Sequence, residues 1–186
     1  LLLILIFCSS KVNAENVREL FTNSDHHYGI YLNGMKVGWM HYQIAIDKYK
    51  IKFSTKLKAS IAGMGMVSEI SLDEKRSYGP QNQLTEVSFK QTAATGSVSV
   101  TGKARGGLLH LAISAGGNTD SKIIEIDETL TDMAAIHQLA KYPKIGKKIE
   151  VAHFDPSIQK RVKVKYQVKD IKKRMFAGVV SNTIQI

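Results

Sequence analysis

From Lys48 to Ile61 the chain reads KYKIKFSTKLKASI. Tyr49, Ile51, Phe53, Thr55, Leu57, Ala59 and Ile61 occupy alternate positions, and Lys48, Lys50, Lys52, Ser54, Lys56, Lys58 and Ser60 fill the gaps. Side chains along a strand point to opposite faces of a sheet, so a period of two over this length predicts a long strand with one face in a core and one in water. Neither a helix nor a strand buried on both faces accommodates lysines at that spacing. Such a strand needs antiparallel neighbours and an apolar layer on one side only.

The rest of the chain supplies neighbours. YGIYLNGMKVGWMHYQI (28–44) carries Asn33-Gly34 between two runs of strand formers. Asn-Gly suits the two positive φ values of a type I′ turn. A two-residue loop predicts the pairs Leu32–Met35, Ile30–Val37 and Tyr28–Trp39 on the buried face, with Tyr31–Lys36 and Gly29–Gly38 on the other. AGMGM (62–66) and YGPQNQ (78–83) read as turns. Shorter strands are expected over 84–91, 97–104, 108–114, 122–127, 149–152 and 160–169, with a last one at GVVSNTIQI. One segment differs. TLTDMAAIHQLAKYP (129–143) offers Thr129 or Thr131 as N-cap, Asp132 in the first turn, Met133, Ile136 and Ala140 at helical spacing with Leu139 beside them, and Pro143 as the stop. The expected fold is mainly β (α+β): a large curved antiparallel sheet of about ten strands with one short helix packed against it.

The chain opens with the apolar run Leu1 to Phe7, followed by Val12-Asn13-Ala14. This pattern reads as the back part of a secretory signal cleaved near Ala14, too short to span a bilayer. An exported, periplasmic or extracellular domain is therefore expected from residue 15 to 186. Cys8 is the only cysteine, so a mature chain has no disulfide, no thiolate metal site and no cysteine nucleophile. The net charge is +10 and unevenly spread. Glu15 to Ala140 holds 13 Lys/Arg and 13 Asp/Glu, whereas Lys141 to Ile186 holds 12 and 3. Lys163, Lys165 and Lys169 form the centre of that basic segment. They could attract an anionic polymer or lipid surface, while export argues against nucleic acid.

Sites of the common chemistries do not appear. GSVSVTGKA (96–104) has five residues between its glycines and Ala104 after Lys103, so it fails the phosphate-loop pattern. GMGM (63–66) has no third glycine and no helix behind it. His26 and His27 would point to opposite faces of a strand, and His41, His110, His137 and His153 share no zinc-site spacing. No cofactor and no metal site is expected. HFDPS (153–157) predicts a turn, because Pro156 fixes φ and Asp155 accepts a local N–H.

Tyr28, Gly29, Tyr31, Asn33, Gly34, Lys36, Gly38 and Trp39, followed by Pro143 to Gly146 and by Phe154, Asp155 and Pro156, resemble the N-terminal β-rich region of bacterial secreted transglutaminase-like proteins. The resemblance implies an N-terminal accessory module, with a papain-like Cys-His-Asp core downstream in the same protein and this chain a piece of it. No catalytic residue carries over. The expectation is a non-catalytic exported β domain. The alternative is a stand-alone periplasmic carrier whose sheet cups a lipid or other apolar ligand.

Overall fold

The structure is a computed structural model that describes residues 17–32, 34–63, 66–176 and 179–185. The expected signal segment, Cys8, Asn33 and the centre of the AGMGM turn lie outside the described residues. The protein is mainly β. Eight antiparallel strands follow one another as an unbroken meander: β1 Ser24–Leu32, β2 Met35–Ile46, β3 Ile51–Gly63, β4 Met66–Tyr78, β5 Leu84–Ala93, β6 Gly96–Arg105, β7 Leu108–Ala115 and β8 Asn118–Glu125. A helix, α1 (Leu130–Lys141), follows. Two hairpins close the chain, β9 Lys148–Asp155 with β10 Lys160–Gln167, and β11 Asp170–Phe176 with β12 Val179–Gln185. The expected large antiparallel sheet with one short helix is present; it holds eight strands, and four more form two separate two-stranded sheets. β11 lies within the basic segment, and its start carries no Gly, Pro or Asn turn signal.

The meander has one apolar face. Ile44, Phe53, Ile51, Tyr78 and Leu84 form one cluster on it with Val17 and Phe21, Leu130 and Ala134. Phe21 and Tyr78 both meet the Phe53 ring edge-on, at 5.2 and 5.7 Å between centroids, an arrangement favoured by ring quadrupoles. Val87, Phe89, Val100, Leu109 and Leu111 form a second cluster around Phe154. Ile126 packs against both. The helix therefore covers one half of the apolar face, and the end of β9 covers part of the other. Burial of the Phe154 side chain contributes roughly 1.5–3 kcal/mol.

α1 starts at Thr129, whose backbone N–H donates to Asp132 Oδ2 at 3.2 Å. This satisfies one end group of the helix. Burial of Asp132 raises its carboxyl above the usual range, opposed by that same N–H. The helix buries Leu130, Ala134 and the expected Leu139, and the expected Met133 packs, partly buried, against the same core. Among the described residues no helix is long and apolar enough to cross a membrane.

Two strand expectations are corrected. β3 begins at Ile51, and Tyr49 lies in the preceding turn, 61% exposed. Asp47 makes that turn by accepting the N–H groups of Tyr49 and Lys50 at 2.7 and 2.6 Å. The first hairpin pairs Leu32 with Met35 and Tyr31 with Lys36 as expected. A bulge then leaves Val37 as an extra residue, so Ile30 faces Gly38, Gly29 faces Trp39 and Tyr28 faces Met40. Each bulge residue shifts all later pairing by one. Trp39 consequently leaves the apolar side and is 43% exposed.

Candidate functional site

The second face of the meander is polar, and the strand registers arrange it in rows across the sheet. One row runs Ala45, Lys52, Ser77, Glu86, Lys103, His110. The next runs Asp25, Gln43, Ser54, Lys75, Ser88, Thr101, Ala112. A third runs His27, His41, Lys56, Asp73, Lys90, Ser99. The first two rows, without Asp25 but with Arg105, line an open cleft of about 910 Å³. Its lining combines small residues with the long side chains of Lys52, Lys75, Lys103 and Arg105, and Phe53, Val87 and Leu111 also contribute. Glu86 is held by Lys50 at 3.6 Å, and Lys75 lies 3.9 Å from Asp73. Lys52, Lys103 and Arg105 take part in no ion pair among the described residues. The cleft therefore has a positive surplus beside the hydroxyls of Ser54, Ser77, Ser88 and Thr101. Among the described residues none of these hydroxyls is hydrogen-bonded to a histidine or a carboxylate.

At the rim of this face the bulge in the first hairpin has a chemical consequence. It places His27 directly opposite His41 and Asp25 opposite Gln43. The two imidazoles stack with centroids 4.3 Å apart and planes 1° from parallel. His41 Nε2 lies 2.7 Å and His27 Nε2 3.3 Å from the same Asp25 oxygen. Gln43 Nε2 reaches the other oxygen at 3.5 Å. In the expected bulge-free register His26, not His27, would face His41. The sequence reading thus missed this cluster because it missed one extra residue.

A second polar cluster is buried between the sheet and its cover. Arg76 donates through Nη1 to both oxygens of Glu128, at 2.7 and 3.0 Å, through Nε to Glu74 at 2.6 Å and through Nη2 to the Phe154 carbonyl at 2.7 Å. Glu128 also accepts from Tyr78 Oη and from the Phe154 N–H, both at 2.5 Å. Burial opposes the Arg76 charge, but Glu128 and Glu74 outweigh it and hold the guanidinium above its ordinary value. Burial, then the Glu128 charge, pushes the Tyr78 phenol well up. Each charge is matched and neither group lines the cleft, so this cluster is a clamp. It ties β4 to the β8–α1 connection and to the end of β9. No spacing in the sequence announces Arg76 or Glu128 as partners, because 52 positions separate them.

The residues of the family resemblance are spread over three places. Tyr28, Gly29, Tyr31, Gly34, Lys36, Gly38 and Trp39 lie on the first hairpin, where Gly34 has φ +80 as its turn requires. Asn33 lies outside the described residues. The Tyr31 ring lies over Gly29, where a Cβ would meet Tyr31 Cε2 at 2.7 Å. At Gly38 a Cβ would come within 2.2 Å of the Lys58 carbonyl oxygen, so β2 and β3 approach there as only glycine allows. Phe154 is in the core and the clamp. Asp155 and Pro156 form the expected turn, in which Asp155 Oδ1 accepts from the Ser157 N–H at 2.8 Å and from its hydroxyl at 2.6 Å. Nothing brings the hairpin and the Phe154–Pro156 turn into one site. Lys163 and Lys165 are exposed on one face of β10, Lys169 follows its end, and Lys165 is 3.4 Å from Glu150. Lys165 and Lys169 line a second depression of about 810 Å³ with Lys148 and Tyr166. No family model, curated protein or solved structure matches this chain. The likeness to transglutaminase-like proteins thus rests on its short motifs alone.

Proposed function

We propose that this chain is a non-catalytic exported binding module whose polar sheet face takes an elongated, anionic, hydroxyl-rich chain such as an acidic polysaccharide. The observation that carries the reading is the cleft where Lys52, Lys103 and Arg105, in no ion pair among the described residues, line the same space as Ser54, Ser77, Ser88 and Thr101. Cations supply attraction to carboxylate or sulfate groups, and the small hydroxyls leave room for a sugar while offering both donors and acceptors. Glu86 adds an acceptor. Trp39, exposed on the same face of β2, extends the track with an aromatic surface. The test is binding of polygalacturonate and of neutral dextran by the purified chain at low and high salt. The reading expects polygalacturonate binding that weakens with salt and is lost in the double reversal Lys103→Glu, Arg105→Glu. Equal binding of dextran, or binding that survives this reversal but not reversal of Lys163, Lys165 and Lys169, would sink it.

The accessory-module reading has its own support in the hairpin tip. Tyr31, Leu32 and Met35 are 60%, 47% and 68% exposed there, an apolar surface of the kind a neighbouring domain covers. Sequencing the gene past Ile186 tests it. A Cys-His-Asp core downstream supports the module, and a stop codon close behind removes it.

A further inference from the structure

We infer that Asp25, His27 and His41 form a binding site for a divalent first-row transition metal, of the zinc class, at the rim of the polar face. Three ligand atoms, one from each residue, lie within 4.8 Å of one another. Ligands bonded to zinc at about 2.0–2.2 Å in a tetrahedron stand roughly 3.3–3.6 Å apart, so these atoms lie within reach of that spacing once one imidazole turns out of the parallel stack to aim its Nε2 lone pair at the ion. The His41 and His27 distances to Asp25 Oδ1, 2.7 and 3.3 Å, lie below that spacing and at its lower edge.

Two imidazoles and one carboxylate select zinc, copper, nickel or cobalt over calcium and magnesium, which prefer oxygen alone. The ligands sit on two paired strands of an eight-stranded sheet, so the backbone holds them without a loop to order. Gln43 contacts the Asp25 oxygen that the histidines do not use, the orienting role that an outer shell plays around metals. Three protein ligands leave a coordination position open. His27 and Asp25 are 74% and 52% exposed, so that position is accessible from solvent. Lys56 is the β3 neighbour of His41 and the one cation beside the ligands in their row. The inference does not depend on the polysaccharide reading, since no ligand residue lines the cleft.

The test uses the untagged chain, with Zn²⁺ titrated calorimetrically and Co²⁺ followed by its visible absorption. Saturation at one ion per chain is expected, with a Co²⁺ band showing inner-sphere nitrogen ligation. His27→Ala, His41→Ala and Asp25→Asn should each weaken Zn²⁺ binding by on the order of tenfold or more. His26→Ala, whose ring lies on the other face of the same strand, should leave it unchanged. All four positions are at the surface or its edge, and circular dichroism verifies that each variant is folded. Absence of a saturable Zn²⁺ isotherm and of a Co²⁺ band overturns the site. So does unchanged affinity in the His27→Ala, His41→Ala double variant, or a His26→Ala loss equal to that of His27→Ala.

Discussion

Two polar clusters in this protein are built from similar parts and have opposite characters. Around Glu128 every donor is matched: Arg76, Tyr78 and a backbone N–H converge on one carboxylate, which is 1% exposed. Around Asp25 two histidines and a glutamine converge on a carboxylate that is 52% exposed. The first has no capacity left and can only hold elements together. The second has spare lone pairs facing water and can exchange its partners. Burial and saturation, not residue type, separate a clamp from a site.

The sharpest way to break that comparison is to remove one carboxylate from each. Glu128→Ala leaves Arg76 buried without its main counter-charge and orphans the Phe154 N–H. Removing one partner of a buried pair typically costs about 3–5 kcal/mol. Urea unfolding followed by tryptophan fluorescence should show a loss of that size. A loss under about 1 kcal/mol would mean that the clamp opens to water and that the distinction is false. Replacing both partners, in Arg76→Met with Glu128→Leu, should recover part of the loss, because paired apolar groups carry no desolvation penalty.

The next contrast lies within one strand. Tyr42 and His41 are adjacent, but Tyr42 faces the core and His41 the polar side. Burial, with a smaller effect from Tyr28, pushes the Tyr42 phenol up to about 12. An unfolded tyrosine ionises near pH 10. Between those values the unfolded chain has lost a proton that the folded chain keeps, so stability falls as pH rises. The fall for Tyr42 reaches roughly 2–3 kcal/mol by pH 12, and Tyr78 steepens it in the same direction. Comparing unfolding free energies at pH 9 and pH 11.5, Tyr42→Phe should lose clearly less than the native chain. An identical loss in both would show that Tyr42 is solvated in the folded state.

How much was legible from sequence divides along similar lines. The alternation of β3 foretold a sheet with one wet face, because period two is a local property of the chain. The helix and its Thr129 cap were legible for the same reason. The first hairpin was half legible. Asn33-Gly34 and the pairs nearest the turn followed from turn chemistry, but the bulge at Val37 did not. Beside it Gly38 lies so near β3 that a Cβ would come within 2.2 Å of the Lys58 carbonyl oxygen, a contact that no window of the hairpin contains. Every residue beyond the bulge, and the His27–His41 pair with it, was misassigned by one position. The clamp was illegible because it joins residues 52 and 78 positions apart. Gly38→Ala tests this account. Its new methyl meets backbone, and overpacking of that kind costs about 1–3 kcal/mol. Gly29→Ala meets only the tip of an exposed tyrosine, which can swing aside, and should cost less than Gly38→Ala. Equal costs would show that β3 yields at Gly38 as readily as the Tyr31 ring does at Gly29.

The smallest expected effect on stability closes the comparison from the other side. Asp25→Asn and His27→Ala remove exposed partners whose mutual attraction is screened by water. Exposed pairs contribute about 0–1 kcal/mol, and surface substitutions away from buried features usually stay within about 0.5 kcal/mol. Urea midpoints of both variants should therefore sit close to that of the native chain. The same variants should differ from it once Zn²⁺ is present, because a ligand that binds only the folded state stabilises it by mass action. The native midpoint should rise with Zn²⁺, while the variant midpoints stay where they were. A variant that loses stability without metal would place Asp25 among the structural groups, and a native chain indifferent to Zn²⁺ would leave the exposed cluster as a solvated hydrogen-bonded triad.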